Sequence, residues 1–409
     1  MRILISSHIP IDKTGYGVQT LNMARMFSKM GHSIVIIGWN MKIPNIRKYN
    51  FTEISIMLRH NFNIEKQILS NEDRDLLMTM DYYPALDSKY PVYINDTQRF
   101  EQLLDEENID IIVFHQDIYP LQFHKKLTRK TICCLPVHYQ PIDYITAKSL
   151  QNMDINIGLC DFGVETIKKC SKAPCYKIPL SINSDLMYYD TTHSKDYYRD
   201  LFHLPKNKFI CLIVSNNSEP SNRKAFDIQI DAFKYLLSKH KDVYLYLHTQ
   251  IIDGQDLNVY LNSISPEYYS YVDQDKYKKA HYSADDMANL FRASDVLLFA
   301  SKSEGFGIPL IEAQACGCPV LTNNFSSMKE LTHNGICCEP LKKIYNKEFK
   351  SYWSMPSLKK VQKGLEKIYK WTPDEREKYQ QLGIQFTNNY SQQAIHQLWE
   401  QLFTSISVD

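Results

Sequence analysis

The sequence pattern that most restricts how this chain can fold is a strand, a glycine loop and a helix in direct succession. Residues 295–300 are apolar without alternation and end at turn residues, which is typical of a strand buried inside a parallel sheet. Gly305 and Gly307 predict a loop after this strand. Pro309 then fits a first helical position, and Gly317 fits the end of the helix. This order of elements favours an α/β fold.

The start of the predicted helix can bind an anion, because free backbone N–H groups and the positive end of the helix dipole face the same spot. Glu304 and Glu312 flank it. Since carboxylates repel a phosphate, we expect them to accept hydrogen bonds from hydroxyl groups of the same ligand. A ligand with both phosphates and hydroxyls is a sugar nucleotide. The residues of this stretch assigned to binding such a donor also include Gly305, Phe306, Gly307 and Ile308.

The composition is that of a globular protein with more than one domain. With 409 residues, 44% hydrophobic and 23% charged, the chain can bury large cores in two or three domains. Its net charge of +1 and the lack of a Lys/Arg block argue against nucleic acid as a partner. The sequence opens on a predicted strand, and no apolar run approaches the roughly 18 residues that span a bilayer. We therefore expect a cytoplasmic protein without a transmembrane segment, and peripheral membrane contact stays open.

The ten cysteines are expected to be reduced thiols in the core. Cys316 and Cys318 have a C-x-C spacing but no second ligand pair nearby, so no metal site is expected there. Those that lie in apolar, strand-like runs are Cys133, Cys134, Cys160, Cys211, Cys337 and Cys338.

The beginning of the chain predicts a strand at 2–7, a helix at 18–30 and a second strand at 33–38. Gly15 and Gly17 lie between the first strand and the helix, at the edge where open α/β sheets bind ligands. We assign them to donor binding. A tight turn is the alternative interpretation.

Two histidines follow predicted strands further along the first half. His115 ends one strand and His138 follows the next. Strand-end polar residues often face a ligand cleft, but a lone histidine is more often structural, so both interpretations stay open. Residues 41–100 lack clear periodicity apart from a helix at 71–80, and form either a solvated insertion or an acceptor contact. The strands of this region are predicted at 109–115, 131–137, 156–160 and 176–180.

A second series of strands and helices follows a polar, Tyr-rich connector near residues 187–198. Each half of the chain therefore has the pattern of a doubly wound sheet, and a ligand is expected in the cleft between the halves. The strands of the second half are predicted at 209–215, 243–248, 295–300 and 319–322.

Arg223 and Lys224 lie in the first loop of the second half, at the start of a predicted helix. Cations at a helix N-terminus oppose the helix dipole unless an anion joins them. Their position therefore favours a phosphate contact over a solvated surface pair.

Further helix ends carry recognisable patterns. Capping boxes are predicted at 327–330 and 372–375. The last helix, from Ser391, has one apolar face and must dock on another part of the protein. That face carries Ile395, Leu398, Trp399, Leu402 and Phe403.

Taken together, these motifs resemble the retaining GT-B glycosyltransferases of family four, also called glycosyl transferases group 1. The run Ser303-Glu-Gly-Phe-Gly-Ile-Pro-Leu-Ile-Glu-Ala313, followed by Cys316-Gly-Cys-Pro-Val320, matches the E-x7-E signature region of that family. Weaker matches to the family are Tyr16-Gly-Val-Gln19 and Asn222-Arg-Lys-Ala225. The match is strongest over residues 282–331.

The resemblance implies two Rossmann-like domains that face each other across a cleft. Residues 1–187 would form the acceptor-side domain and residues 188–386 the donor-side domain. The final helix, 387–409, would cross back to pack on the first domain. The implied activity is transfer of a hexose-type sugar from a nucleoside-diphosphate sugar to an acceptor hydroxyl with retention at the anomeric carbon.

The resemblance also implies roles for individual residues. Glu304 would face the donor sugar and Glu312 the nucleotide ribose. Lys224 would bind the diphosphate, which the backbone of Gly17 approaches. His138 would lie near the reactive carbon, so that Glu304 and His138 are the predicted catalytic residues.

The same resemblance suggests the partners of the reaction. UDP- and GDP-sugars are the expected donors, and a glycan, a lipid-linked molecule or a small molecule is the expected acceptor. No metal or other cofactor is expected.

One position departs from the family pattern. The family usually has an arginine a few residues before its diphosphate lysine, where this chain has Asn216, Asn217 and Ser218. Either Arg223 replaces that charge, or the donor binds more weakly. The alternatives are therefore a weakly active or inactive sugar-nucleotide-binding protein, or another GT-B enzyme such as an epimerase or a phosphorylase.

Overall fold

The structure is a computed structural model, and it describes residues 1–11, 14–42, 47–62, 70–86, 97–116, 126–278 and 282–406. The chain divides into two compact units. The sequence predicts limits after residues 187 and 386, whereas the division in the structure falls after Ser181 and Ala394. Unit 1 comprises Met1–Val137, Pro141–Ser181 and Ile395–Asp409, and unit 2 comprises His138–Gln140 and Ile182–Ala394.

Unit 1 is built on a parallel sheet. Its strands are β1 (Arg2–Ser7), β2 (Ser33–Lys42), β3 (Asp81–Leu86), β4 (Ile111–His115), β5 (Lys130–Leu135), β6 (Ile155–Gly158) and β7 (Cys175–Lys177). In the described residues their order is β3-β2-β1-β4-β5-β6-β7. Ile3 of β1 pairs with Ile34 on one side and with Ile111 on the other. The inner strands β1, β4 and β5 are buried along nearly their whole length, which is typical of a parallel sheet covered on both faces.

The helices of unit 1 come from both ends of the chain. They are α1 (Gly15–Lys29), α2 (Phe51–Phe62), α3 (Asn71–Met78), α4 (Thr97–Glu106), α5 (Tyr144–Gln151) and α6 (Asp161–Lys168), together with the last helix of the chain, Gln392–Ile406, from Ile395 onward.

The last helix completes the core of unit 1. Trp399 and Phe403 are buried, and the centroid of each ring lies 5.0 Å from that of Phe27 in α1. Both ring pairs meet edge to face, the arrangement that aromatic quadrupoles favour. The apolar face predicted for this helix is therefore confirmed.

Unit 2 repeats the same architecture. Its strands are β8 (Phe209–Val214), β9 (Val243–His248), β10 (Tyr269–Tyr271), β11 (Val296–Phe299), β12 (Val320–Asn323) and β13 (Ile336–Cys338). The described strands form a parallel sheet in the order β10-β9-β8-β11-β12-β13. The prediction of two doubly wound α/β sheets is confirmed. A separate antiparallel hairpin is formed by β14 (Lys342–Asn346) and β15 (Ser351–Met355).

The helices of unit 2 enclose a second core. Phe233 and Leu365, from two different helices, are fully buried in the same apolar cluster as Ile213 of β8. The helices are α7 (Lys195–Leu201), α8 (Phe226–Lys239), α9 (Asn258–Leu261), α10 (Gln274–Lys278), α11 (Ala284–Ala293), α12 (Ile308–Ala315), α13 (Ser327–Leu331), α14 (Leu358–Tyr369) and α15 (Pro373–Thr387), so that the last helix is α16.

One of the two predicted capping boxes is present. Thr372 Oγ1 accepts a hydrogen bond from the Glu375 N–H at 3.2 Å, and the Glu375 carboxylate accepts one from the Thr372 N–H at 2.9 Å. The box predicted at Ser327 is wrong. Ser327 is already the first residue of α13, and Ser326 before it makes no side-chain cap.

The glycine loop predicted before the first helix is wrong as well. Helix α1 begins at Gly15, so Gly15 and Gly17 lie in its first turn. Thr14 caps this turn, because its hydroxyl oxygen accepts a hydrogen bond from the Gly17 N–H at 3.2 Å. The cap starts the helix three residues earlier than the apolar stripe alone indicates.

All ten cysteines are free thiols, and the prediction that they lie in the core holds for seven of them, since Cys170, Cys175 and Cys337 are only half-buried. Within the described ranges, no helix is both long enough and apolar enough to cross a membrane.

Candidate functional site

The candidate site lies at the carboxyl edge of the sheet in unit 2. Strands β8 and β11 are neighbours in this sheet, so the loops that follow them meet at the same edge. The Lys302 N–H donates to the carbonyl oxygen of Arg223 at 2.8 Å, which joins the two loops directly.

The loop after β8 holds Arg223 and Lys224 in a constrained backbone. Asn222 and Ala225, on either side of them, both have positive φ angles, 48° and 50°. Asparagine tolerates this left-handed region, but alanine adopts it only at a cost of about 1–3 kcal/mol. Asn222 Oδ1 accepts a hydrogen bond from the Phe226 N–H at 3.1 Å, which compensates part of that cost and starts α8. Strain of this kind is concentrated at functional sites.

Glu304 is the carboxylate on which both cations converge. Lys224 Nζ lies 2.8 Å from Glu304 Oε1 and 3.0 Å from Oε2, and Arg223 Nη1 lies 3.2 Å from Oε2. The Arg223 fork also binds a second acid, because its Nε lies 2.9 Å from Glu219 Oε2. Two cations and two carboxylates therefore form one network at this edge.

The network sets the protonation of its members. Burial alone would raise the pKa of Glu304, but Lys224 and Arg223 outweigh it and lower that pKa to about 2. Burial lowers the pKa of Lys224, against the attraction of Glu304. Burial acts in the same direction on Arg223, but Glu304 and Glu219 prevail and raise its pKa. Glu304 and Arg223 are thus charged at neutral pH.

Ser327 supports the loop that carries Glu304. Its hydroxyl donates to the backbone oxygens of Glu304 and Phe306, at 3.1 Å and 2.7 Å. The Glu304 N–H donates to Ser326 Oγ at 3.0 Å. This explains why Ser327 does not cap its own helix, since its hydroxyl is already used to hold the Glu304 loop.

Residues Gly305 to Ile308 lead directly into α12. Gly307 has a φ of +92°, and a Cβ at that position would come within 3.3 Å of the Phe299 ring, so the turn requires glycine. Helix α12 begins at Ile308, which makes Pro309 its second residue rather than its first. No side chain caps this helix start, so the Ile308 N–H remains for another acceptor, whereas Pro309 has no N–H and the Leu310 N–H donates to the Gly307 carbonyl oxygen at 2.9 Å.

Glu312 lies on α12 apart from these cations. It is half-buried, and within the described residues its carboxyl makes no ion pair. Burial therefore acts unopposed and raises its pKa to about 7.

His138 belongs to unit 2, although it follows β5 in the chain. Its backbone oxygen accepts a hydrogen bond from Ser303 Oγ, and its ring packs edge-on against Tyr139 and Phe349 with centroids 4.9 Å apart in both cases. Burial, followed by the charge of Arg223, lowers the pKa of the imidazole to about 3, so it is neutral. Its Nδ1 is buried and has no hydrogen-bond partner among the described residues.

The remaining predicted residues, Gly15 and Gly17, lie in unit 1, at the carboxyl edge of its sheet. His115, the other histidine at the end of a predicted strand, is at the same edge. Both of its ring nitrogens are buried without a hydrogen-bond partner in the described ranges, and burial lowers its pKa to about 4. The ring meets that of Tyr16 edge-on at 5.5 Å.

Of the two asparagines in place of the expected arginine, Asn217 has a structural role. Asn217 is buried, and its Nδ2 donates to the carbonyl oxygens of Gln250 and Gln255 at 2.9 Å and 2.8 Å. Its Oδ1 accepts a hydrogen bond from the Gln255 N–H at 3.0 Å. Asn217 thus ties the loop after β8 to the loop after β9.

Lys302 is a further cation of this edge that the sequence patterns did not single out. Its Nζ donates to the Ser221 carbonyl oxygen at 3.1 Å, and burial lowers its pKa. The signal was a lysine placed directly after a buried strand. Among the described residues, no group of three or more His, Cys, Asp or Glu side chains is placed to hold a metal ion.

This edge lies within a segment that matches a known family. Residues 199–347 match the model described as glycosyl transferases group 1. The chain contains a group 1 glycosyltransferase domain. The resemblance drawn from the sequence is thereby confirmed at the level of this family, and all of Arg223, Lys224, Glu304 and Glu312 fall inside the matched segment.

A curated relative of this glycosyltransferase domain is mannosylfructose-phosphate synthase of Agrobacterium fabrum. It is 31% identical over 104 residues, which are 25% of this chain and 23% of that protein. The alignment thus spans less than a quarter of the relative's length.

Solved structures extend the likeness to the whole chain. Sucrose-phosphate synthase from Thermosynechococcus elongatus superposes with a TM-score of 0.72 at 14% identity, covering 100% of this chain and 99% of that one. HepE of Anabaena, solved with UDP and glucose, gives a TM-score of 0.68 at 11% identity, covering 99% and 100%. At these identities the likeness concerns the fold, which is that of GT-B glycosyltransferases.

Proposed function

We propose that this protein transfers a hexose-type sugar from a nucleoside-diphosphate sugar to an acceptor hydroxyl, with retention at the anomeric carbon and without a metal ion. One observation carries the proposal: inside the matched glycosyltransferase segment, Lys224 and Arg223 converge on the buried carboxylate of Glu304. The acceptor is a glycan, a lipid-linked molecule or a small molecule.

The cations would stabilise the leaving group. As the bond between sugar and phosphate breaks, negative charge grows on the diphosphate, and preorganised donors lower the barrier. Lys224 Nζ has three N–H groups and gives two of them to Glu304, so one remains for a phosphate oxygen. The Ile308 N–H at the uncapped start of α12 would supply a further donor.

Glu304 would hold the sugar while it holds the cations. A carboxylate has about four acceptor positions, and three are used by Lys224 and Arg223. A sugar hydroxyl can therefore bind Glu304 without displacing its partners. His138, whose imidazole is neutral and whose Nδ1 is unused among the described residues, would position the sugar or the acceptor as a hydrogen-bond partner.

A UDP-sugar is the first donor to test, because the Anabaena structure with the same fold was solved with UDP and glucose. The experiment screens UDP-, GDP- and ADP-sugars for thermal stabilisation, since a ligand that binds only the folded state must raise its stability. Turnover of the stabilising donor is then followed by NMR, with and without a chelator and candidate acceptors. We expect an α-configured donor to give an α-linked product, equally fast with the chelator.

Other outcomes select the rival functions. An epimerised or phosphate-dependent product without an acceptor would indicate an epimerase or a phosphorylase. Donor binding without any turnover would indicate a binding protein. If no sugar nucleotide stabilises the protein, the proposal is wrong.

Donor affinity is expected to depend on pH through Glu312. Its pKa of about 7 means that the carboxylate that accepts ribose hydroxyls is only half formed at neutral pH. Affinity for UDP-glucose should therefore rise roughly tenfold between about pH 6 and about pH 8, and calorimetry measures it. The sign follows because binding favours the deprotonated form, which is scarce below the pKa.

The Glu312→Gln variant should bind more weakly and without this pH dependence, whereas Glu377→Gln, on the exposed face of α15, should behave as the parent protein. An unchanged pH profile in Glu312→Gln would remove Glu312 from the ribose site.

A further inference from the structure

A second pocket in unit 2 lies at the opposite edge of its sheet from Glu304. It has a cavity volume of about 130 Å³ and is bordered by the residues that precede β11 and β12, Asp295 and Pro319. Arg292 at the end of α11 and Arg376 and Gln380 on α15 form other walls. We call it the amino-edge pocket.

The acids of this pocket have little acceptor capacity left. Asp190 accepts hydrogen bonds from the N–H and hydroxyl of Thr192, from His193 Nδ1 and from the Tyr198 hydroxyl. Four donors saturate a carboxylate. Asp295 accepts from Lys195 Nζ at 2.7 Å and from two further donors behind the pocket.

The arginines, in contrast, keep donors in reserve. A guanidinium has five N–H groups. Arg292 gives three of them to neutral acceptors, the carbonyl oxygens of Tyr188 and Leu186 and the amide oxygen of Asn289, at 3.1, 2.6 and 2.8 Å. Two therefore remain, and no carboxylate within the described residues pairs with this buried cation. Its guanidinium is held over the Tyr188 ring at 4.4 Å.

Arg376 adds a second uncompensated charge. Its Nη2 donates to the carbonyl oxygens of Ile368 and Tyr369, both at 3.1 Å, so three of its five N–H groups remain. The described part of the chain places no carboxylate in an ion pair with it. The charged groups of the pocket that still have free hydrogen-bonding positions are thus the two arginines, which are donors. The two acids do not cancel their positive charge.

We infer that the amino-edge pocket binds a small phosphate monoester. Two guanidinium groups with free N–H donors match the oxygens of a dianion, because a planar guanidinium can donate two parallel hydrogen bonds to two oxygens of a phosphate. The volume exceeds that of phosphate itself and leaves room for an organic part beside the Tyr189 and Tyr198 rings. This inference does not rest on the proposed transfer activity, because it uses none of its residues.

The test separates the amino-edge pocket from the donor site by mutation. The full chain carrying Lys224→Gln, which weakens phosphate binding at the donor site, is titrated calorimetrically with glycerol 3-phosphate, and with glycerol as the uncharged control. We expect saturable binding of glycerol 3-phosphate and none of glycerol.

Adding Gln380→Glu, which puts a carboxylate of the same shape into the pocket wall, should weaken this binding at least about tenfold. Adding Gln381→Glu, the same charge change at the exposed neighbouring position, should not. Gln380 is half-buried at the end of the pocket and makes no side-chain hydrogen bond to a described residue, so this exchange should leave the fold intact.

Three results would overturn the inference. They are the absence of glycerol 3-phosphate binding in the Lys224→Gln protein, equal binding of glycerol, and equal affinities of the Gln380→Glu and Gln381→Glu proteins. The Arg376→Gln variant tests the same site independently. It is expected to weaken glycerol 3-phosphate binding by about the same factor as Gln380→Glu.

Discussion

Replacing Lys224 with glutamine is expected to slow sugar transfer at least about a hundredfold. Lys224 Nζ lies 2.8 Å from Glu304, with one donor left for the diphosphate. Removal of one preorganised donor to a developing negative charge typically costs a factor of about 100 to 1,000 in rate. Turnover is measured at saturating donor, so that weaker binding does not account for the loss.

The matched control is Lys234→Gln. Lys234 lies on α8, the helix that starts after Lys224, and pairs with the exposed Asp231 at 3.0 Å. This variant should keep full activity. Glu304→Ala should lose activity as Lys224→Gln does while it stays folded, because it removes the sugar contact and the partner of both cations. Turnover like that of the parent protein in either site variant would exclude the proposed site.

Replacing Asp295 with asparagine is expected to destabilise the protein by about 3–5 kcal/mol, the usual cost of removing one partner of a buried ion pair. Asp295 accepts from Arg199 Nη2 at 2.6 Å, from Lys195 Nζ at 2.7 Å and from the Ile210 N–H at 2.7 Å. Arg199 is buried, so its charge would lose its closest compensation. Urea unfolding measures the loss.

Asp196→Asn is the matched control for this prediction. Asp196 is an exposed partner of the same arginine at 4.0 Å, and exposed pairs contribute at most about 1 kcal/mol. If both variants lost a similar amount of unfolding free energy, the burial of the Asp295 ion pairs would not be what makes them stabilising.

The pH dependence of the Asp295 contribution has a definite sign. Burial raises the pKa of Asp295, but Lys195 and Arg199 prevail and lower it. The stabilisation is therefore present above the unfolded pKa of about 3.9 and is lost as the pH falls through the folded value. The difference between Asp295→Asn and the parent protein should shrink as the pH drops below about 4.

The strands were largely predictable because buried parallel strands are continuous apolar runs. The strand predicted at 243–248 coincides with β9, and the strand predicted at 295–300 contains β11. Strand β3 and the hairpin of β14 and β15 were not predicted. The hairpin strands mix Tyr, Lys, Asn and Ser, and β3 begins with Asp81 and contains Pro84, so neither a period of two nor a continuous apolar run marks them.

Helix starts were predictable where the capping residue bonds only to its own helix. Thr372 fulfils this condition, and its box is present. Ser327 has the same local pattern, but its hydroxyl bonds to the loop of Glu304 instead. A local pattern cannot show that a distant carbonyl competes for the same donor.

The sequence by itself determined the two doubly wound sheets, the family of the second unit and the residues that gather around one glycine loop. These features depend on apolar runs and on neighbours within a few residues. Only the tertiary structure decided that Arg223 and Lys224 pair with Glu304, because the pairing of β8 with β11 brings together loops far apart in the chain. The amino-edge pocket is also a product of the tertiary structure. Its free guanidinium N–H groups can be identified only when the hydrogen-bond partners of each arginine are known.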